Sequence, residues 1–278
     1  MLRSLEPSQS SPVKLEEWFS KRPVFTLDEV RAWLDRRYSQ NERTRESLLS
    51  YHLKAGHLVR VKRGLYAVVP PGSAPETTPV DPWLVAAKSA EDSVLAYHTA
   101  LELHGKARSV FEKFYFQTSK PVRTTTFRGH RFVGVLFPKP LRERGREFFA
   151  TTIMERSGIE YRATSLERTL VDLHARPDLG GGWEEIWRSL ESVEYFDLDL
   201  IADYVELLSN RTTAAKVGWF LERHAEALMV EERHLERLRK LRPKQPHYME
   251  RSRPGTLVGN WNLVVPKALF DHSGEEPA

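Results

Sequence analysis

The 278-residue chain contains no cysteine. Disulfides and thiolate metal sites are therefore excluded, and a reducing, cytoplasmic setting fits. No apolar run reaches the ~18 residues that a membrane-crossing helix needs, so no membrane partner is expected. The opening MLRSLEPSQSSP lacks the apolar h-region of a secretory signal and reads as a disordered tail, residues 1–12. The ten histidines form neither His-Glu-x-x-His nor another familiar ligand pair. There is no G-x-S-x-G, no P-loop and no G-x-G-x-x-G. Gly180, Gly181 and Gly182 are not followed by Lys-Ser/Thr and read as a turn between helices. A nuclease needs clustered carboxylates to hold its metal. Asp172, Asp178, Glu184 and Glu185 are close in sequence, but they surround a helix end and the glycine turn, with no lysine placed beside them. No catalytic residue, cofactor or metal is expected, and the chain reads as a non-enzyme.

What the chain does have is positive charge, unevenly spread. Residues 1–80 hold 13 Lys and Arg against 9 Asp and Glu, while the remaining 198 hold 29 of each. The whole excess of +4 therefore belongs to the N-terminal part. A small basic domain attached to a neutral one points to nucleic acid. The boundary is also visible. Residues 69–82, VPPGSAPETTPVDP, contain five prolines, which fix φ and donate no backbone hydrogen bond. The division expected is a domain at 13–69, a proline-rich linker at 70–81, a domain at 82–272 and a tail at 273–278.

The first domain reads as three helices and a hairpin. Ser11-Pro12 offers a cap followed by proline, and Leu15, Trp18 and Phe19 follow at helical spacing up to Pro23. Thr26 and Glu29 have the spacing of a capping box, with Phe25 and Val30 as an apolar staple across the helix entry. A third start at Ser39-Gln40-Asn41-Glu42 opens a helix that runs to Gly56. Residues 57–68, HLVRVKRGLYAV, then have the apolar, β-branched and aromatic composition of a hairpin, with Arg60, Lys62 and Arg63 crowded beside a turn at Gly64. This order is that of a winged helix-turn-helix, whose third helix enters the DNA major groove while the wing touches the backbone. Turned at 100° per residue, the third helix puts Leu48, Leu49, His52 and Leu53 on one side. The other side carries Arg43, Ser47, Ser50, Tyr51 and Lys54, flanked by Thr44, all able to bond base edges or phosphates. Arg60, Lys62 and Arg63 would meet phosphate from the wing.

The second domain reads as mixed α+β. PWLVAAKSA and SVLAYHTALELHG read as helices, followed by strands with turns at Arg128-Gly129 and Ser157-Gly158. A capping box at Thr164 to Glu167 restarts a helix, residues 183–241 are mostly helical, and WNLVVP (261–266) is a last strand. Residues 106–147 hold 11 basic and 3 acidic residues. They form a second nucleic-acid surface, a face for an acidic partner, or a solvated sheet face. The fold class expected for the whole chain is α+β, a winged helix-turn-helix followed by a larger mixed domain.

Four stretches in order, AGHLVRVKRGLYAV (55–68), SVLAYHTALELHG (93–105), ATSLERTLVDLHARPDLGGGWEEI (163–186) and WNLVVP (261–266), resemble the AbiEi family of antitoxins and transcriptional regulators from bacterial type IV toxin–antitoxin systems. The resemblance implies an N-terminal winged helix that binds double-stranded DNA at inverted repeats in its own promoter, associating with the nucleoid. It implies a larger domain that neutralises a nucleotidyltransferase-like toxin, with no residue assigned to that task. Arg168 and Asp172, four apart on one helix, read as a structural ion pair. A restriction-like nuclease module, carried by some proteins with this type of N-terminal domain, would need an acidic strand ending that residues 190–278 lack. Two other readings stay open: a winged-helix transcription factor whose C-terminal domain senses a small ligand, and an interaction protein whose winged helix binds protein.

Overall fold

The structure is a computed structural model that describes residues 15–36 and 42–271, of which 42–46 and 271 are described as backbone only. The chain forms two compact units. The first comprises residues up to Lys88 together with 155–160, and the second the remainder from Ser89.

In the first unit the chain runs α1 (Leu15–Ser20), β1 (Val24–Thr26), α2 (Leu27–Asp35), α3 (Glu42–Lys54), β2 (Leu58–Lys62), β3 (Leu65–Val68) and α4 (Pro82–Ala87). The cap expected at Ser11-Pro12 and the start expected at Ser39 lie outside the described residues. Thr26 and Glu29 close a reciprocal capping box: the Glu29 amide donates to Thr26 Oγ1 at 3.2 Å, and the Thr26 amide donates to the Glu29 carboxylate at 2.8 Å. Helix α3 ends where glycine allows. Gly56 has φ 74°, its N–H donates to Leu53 O at 3.2 Å, and the His57 N–H donates to His52 O at 2.9 Å. Those two bonds satisfy carbonyls that the helix end leaves open.

Residues 24–26, expected only as a helix entrance, are also a strand. β1 pairs antiparallel with β3, and β3 pairs antiparallel with β2, giving the order β1-β3-β2. Phe25 is fully buried where the helices meet this sheet, 5.0 Å from the Trp18 ring, 5.4 Å from Phe19 and 5.8 Å from Tyr66. Val30, Leu34, Leu49 and Leu58 complete that core.

The second unit is mixed α+β. It contains β4 (Val94–Leu95), α5 (His98–Leu103), β5 (Lys113–Thr118), β6 (Thr125–Phe127), β7 (His130–Leu136), α6 (Lys139–Glu143), and most of β8 (Thr151–Arg156) and β9 (Ile159–Thr164). Helices α7 (Leu166–Ala175), α8 (Trp183–Glu191), α9 (Leu198–Leu208), α10 (Arg211–Arg223) and α11 (Glu232–Leu241) follow, then β10 (His247–Tyr248), β11 (Gly255–Val258) and β12 (Leu263–Pro266). The large sheet has the order β6-β7-β5-β4-β9-β8, and a small one the order β10-β12-β11. Arg128-Gly129 and Ser157-Gly158 have positive φ at both residues, as tight hairpin turns require.

Two local readings are corrected. SVLAYHTALELHG is not one helix: β4 ends at Leu95, and Tyr97, with φ 57° and ψ −133°, turns the chain sharply into α5. The cap of α7 is Ser165, whose hydroxyl accepts from the Arg168 amide at 3.3 Å, while Thr164 belongs to β9.

Candidate nucleic-acid interface

Helix α3 buries one side and exposes the other. Leu49 and His52 are buried, and Leu48 and Leu53 are half-buried against the same core. Ser47, Ser50, Tyr51 and Lys54 are exposed, Tyr51 by 61%. The side chains of Arg43 and Thr44 lie outside the described residues. Tyr51 is large and apolar for so exposed a position, and its ring is held edge-on by His52 at 5.2 Å and His57 at 6.4 Å. His52 Nδ1 lies 3.2 Å from His57 Nδ1, close enough for one imidazole to donate to the other. Burial, followed by the neighbouring His57, lowers the His52 pKa, which favours the neutral ring.

The β2–β3 hairpin divides its three cations. Leu58 faces Val68 and Arg60 faces Tyr66, but Lys62 faces Leu65, so β2 gains one residue between Arg60 and Lys62. Neighbouring residues on β3 point to opposite faces, so Arg60 shares the face of Tyr66 and Lys62 that of Leu65. The Tyr66 face is the one that packs on the helical core. Arg60 is exposed and rests its guanidinium 5.9 Å from the Tyr66 ring centre, with its stem over apolar surface and its charge in water. Lys62 is half-buried, and burial lowers its pKa. Arg63 is exposed at the turn, beside Gly64 with φ 80°. Sequence reasoning grouped the three cations because a bulge leaves no mark in apolar alternation. The one available signal was that strict alternation from Leu58 would send both Arg60 and Lys62 inward.

The basic stretch 106–147 has two parts. Lys106 Nζ donates to Ser192 O at 2.9 Å at the end of α8, and Arg144 donates to Leu207 O at 3.1 Å near the end of α9. Cations belong at helix C-termini, where carbonyls are left over. Arg142 Nε donates to Phe137 O at 3.0 Å, and Lys139 pairs with Glu143 at 3.4 Å. Lys113, Lys120, Arg123 and Arg131 are exposed.

The carboxylates weighed as nuclease ligands have other partners. Asp172 accepts from Tyr204 at 2.7 Å and Gln117 at 3.0 Å, and lies 3.5 Å from Arg168. Asp178 is gripped by Arg176 through two bonds of 3.0 and 2.8 Å. Glu184 pairs with Arg188 at 2.9 Å, and Glu185 accepts from the Ser109 amide and hydroxyl at 2.9 and 2.8 Å. Among the described residues, no group of three or more His, Asp or Glu could hold a metal ion. No helix among them is long and apolar enough to cross a membrane.

No curated protein matches the chain. Among solved structures, the RV2827C protein from Mycobacterium tuberculosis is similar, with a TM-score of 0.55 over 90% of this chain and 89% of that one at 17% identity. At that identity the likeness is one of fold. Residues 13–69, the segment that contains α1 to β3, match the model of a family described as transcriptional regulator, AbiEi antitoxin.

Proposed function

We propose that this chain is a DNA-binding regulator that reads duplex DNA with α3 and the β2–β3 hairpin, as a winged helix-turn-helix. The observation that carries the reading is the exposed face formed by Ser47, Ser50, Tyr51 and Lys54. In this reading the serine hydroxyls and Tyr51 meet base edges and sugars in the major groove, together with Arg43 and Thr44. Lys54, Arg60 and Arg63 meet phosphates, each adding about 0.9 to the negative salt slope of binding. Lys62 contributes little, since it is half-buried on the opposite face of the hairpin. The family matched at 13–69 supports regulation as the purpose of the binding.

The finer reading goes further. The chain represses its own promoter by binding inverted repeats there, and its second unit counters a nucleotidyltransferase-like toxin encoded beside it, as a type IV antitoxin. The protein works in the bacterial cytoplasm and performs no catalysis of its own. The test is a reporter driven by the native promoter, in cells with and without the chain, alongside co-expression with the neighbouring gene. Repression lost in a Lys54→Ala, Arg60→Ala double variant, with toxicity relieved by the intact chain, supports both parts. A promoter indifferent to the chain removes autorepression. A neighbour that is harmless alone removes the antitoxin role.

A further inference from the structure

Residues 242–253, RPKQPHYMERSR, hold four arginines and lysines, one histidine and one tyrosine against a single glutamate. This stretch lies in the second unit and has no part in the duplex-binding reading. It borders a groove of about 660 Å³ lined by Thr212, Gln245, His247, Tyr248 and Arg251. The groove is polar, and Tyr248 is 54% exposed beside it.

The backbone here is pinned. The His247 N–H donates to Asn262 O at 2.8 Å and the Met249 N–H to Val264 O at 2.9 Å, fixing β10 beside β12. Asn262 Nδ2 donates to Pro243 O at 2.9 Å, and the Met249 side chain is buried beneath. His247 Nδ1 and Thr212 Oγ1 lie 2.7 Å apart, which fixes the imidazole against the first turn of α10. An exposed aromatic on a fixed backbone loses little freedom when a second ring stacks on it.

The charges also divide. Arg242 bonds to Asn260 O, and Arg253 lies 3.5 Å from Glu250. Lys244 and Arg251 are exposed with no carboxylate partner among the described residues. The groove therefore combines an aromatic face, a hydroxyl, an amide and one cation, Arg251, and Lys244 is the residue before its lining residue Gln245.

We propose that this groove binds an unpaired nucleic-acid strand, with a base stacked on Tyr248 and a phosphate met by Arg251. Duplex DNA buries its base faces between neighbouring pairs and has nothing to offer Tyr248, whereas a single strand does. The site shares no residue with the face of α3, so the chain holds two nucleic-acid surfaces of different preference.

The test is fluorescence anisotropy of short labelled RNA and DNA single strands with the full chain, at two salt concentrations. It is run in a Lys54→Ala, Arg60→Ala, Arg63→Ala background, which removes the phosphate contacts assigned to the first unit. Binding weakened about tenfold by Tyr248→Ala but kept by Tyr248→Phe is expected, because stacking needs the ring and not the hydroxyl. Arg251→Ala should flatten the salt dependence. The RNA and DNA arms identify which strand is preferred. The proposal is overturned if no strand binds or if Tyr248→Ala changes nothing. It is equally overturned if an abasic strand or polyglutamate binds as tightly as the intact strand, since the groove would then take any polyanion or an acidic peptide.

Discussion

Arg60 and Lys62 leave the same strand on opposite faces of the sheet, because they stand two residues apart on β2 while their partners Tyr66 and Leu65 are immediate neighbours on β3. The face of Arg60 is the one packed on the helical core, which includes the buried side of α3. Arg60→Ala should therefore weaken binding to promoter duplex and lower the salt slope by about 0.9. Lys62→Ala should leave the slope nearly unchanged. Titrations across a salt series check both, and equal losses from the two variants would show that the bulge does not sort the cations.

Gly56 and Gly64 both sit at positive φ, 74° and 80°, but in different space. A Cβ on Gly56 would come 2.9 Å from Pro75 Cγ, while one on Gly64 meets nothing within 4 Å. Gly64→Ala should cost only the left-handed backbone penalty, about 1–2 kcal/mol. Gly56→Ala should cost more, since it also displaces Pro75 or opens the end of α3. Chemical unfolding of the two variants ranks them directly.

Arg168 is fully buried and donates to Glu147 O at 2.7 Å, Phe149 O at 2.6 Å and Gln117 Oε1 at 2.5 Å. Its Nε lies 3.5 Å from Asp172, whose own carboxylate is held by Tyr204 and Gln117. The pair read from sequence as structural is the centre of a buried polar network, which Tyr97 joins through Gln117 at 3.0 Å. Replacing Arg168 by leucine leaves the buried Asp172 carboxyl without its cation and Gln117 Oε1 and two backbone carbonyls without their donor, so about 3–5 kcal/mol should be lost. An unfolding midpoint close to that of the unaltered chain would contradict the assignment.

His174 is fully buried. Burial lowers its pKa to about 4, against only partial support from the bond between Nδ1 and Leu170 O at 2.8 Å. In the unfolded chain an ordinary histidine takes up a proton near pH 6.5. Between that value and pH 4 the unfolded state binds more protons, so stability falls as the pH falls through this window. The full effect is roughly 3 kcal/mol. His174→Gln should flatten the stability curve there, and an unchanged curve would locate the acid sensitivity elsewhere.

Much of this was legible in the sequence where the causes are local. The capping box of Thr26 and Glu29, the glycine end of α3 and the hairpin turns at Arg128-Gly129 and Ser157-Gly158 depend on residues a few positions apart. The exposed face of α3 follows from helical periodicity alone. What stayed hidden was set by distant partners. Val24 to Thr26 become a strand because β3 lies beside them, and β10 exists because β12 does. Tyr97 breaks an apparently continuous helix where the Ala96 amide bonds to Tyr115 O at 3.1 Å and the ring reaches Gln117. In the candidate site the same rule applies: the helix face was readable, and the bulge that separates Arg60 from Lys62 was not.

The most direct test of the central claim is a mobility shift of the purified chain with its own promoter against scrambled duplex of equal length, at two salt concentrations. Retention of the promoter alone, lost when Lys54 and Arg60 become alanine, is the result this account predicts. Equal retention of both duplexes, or promoter binding untouched by the two alanines, would contradict it.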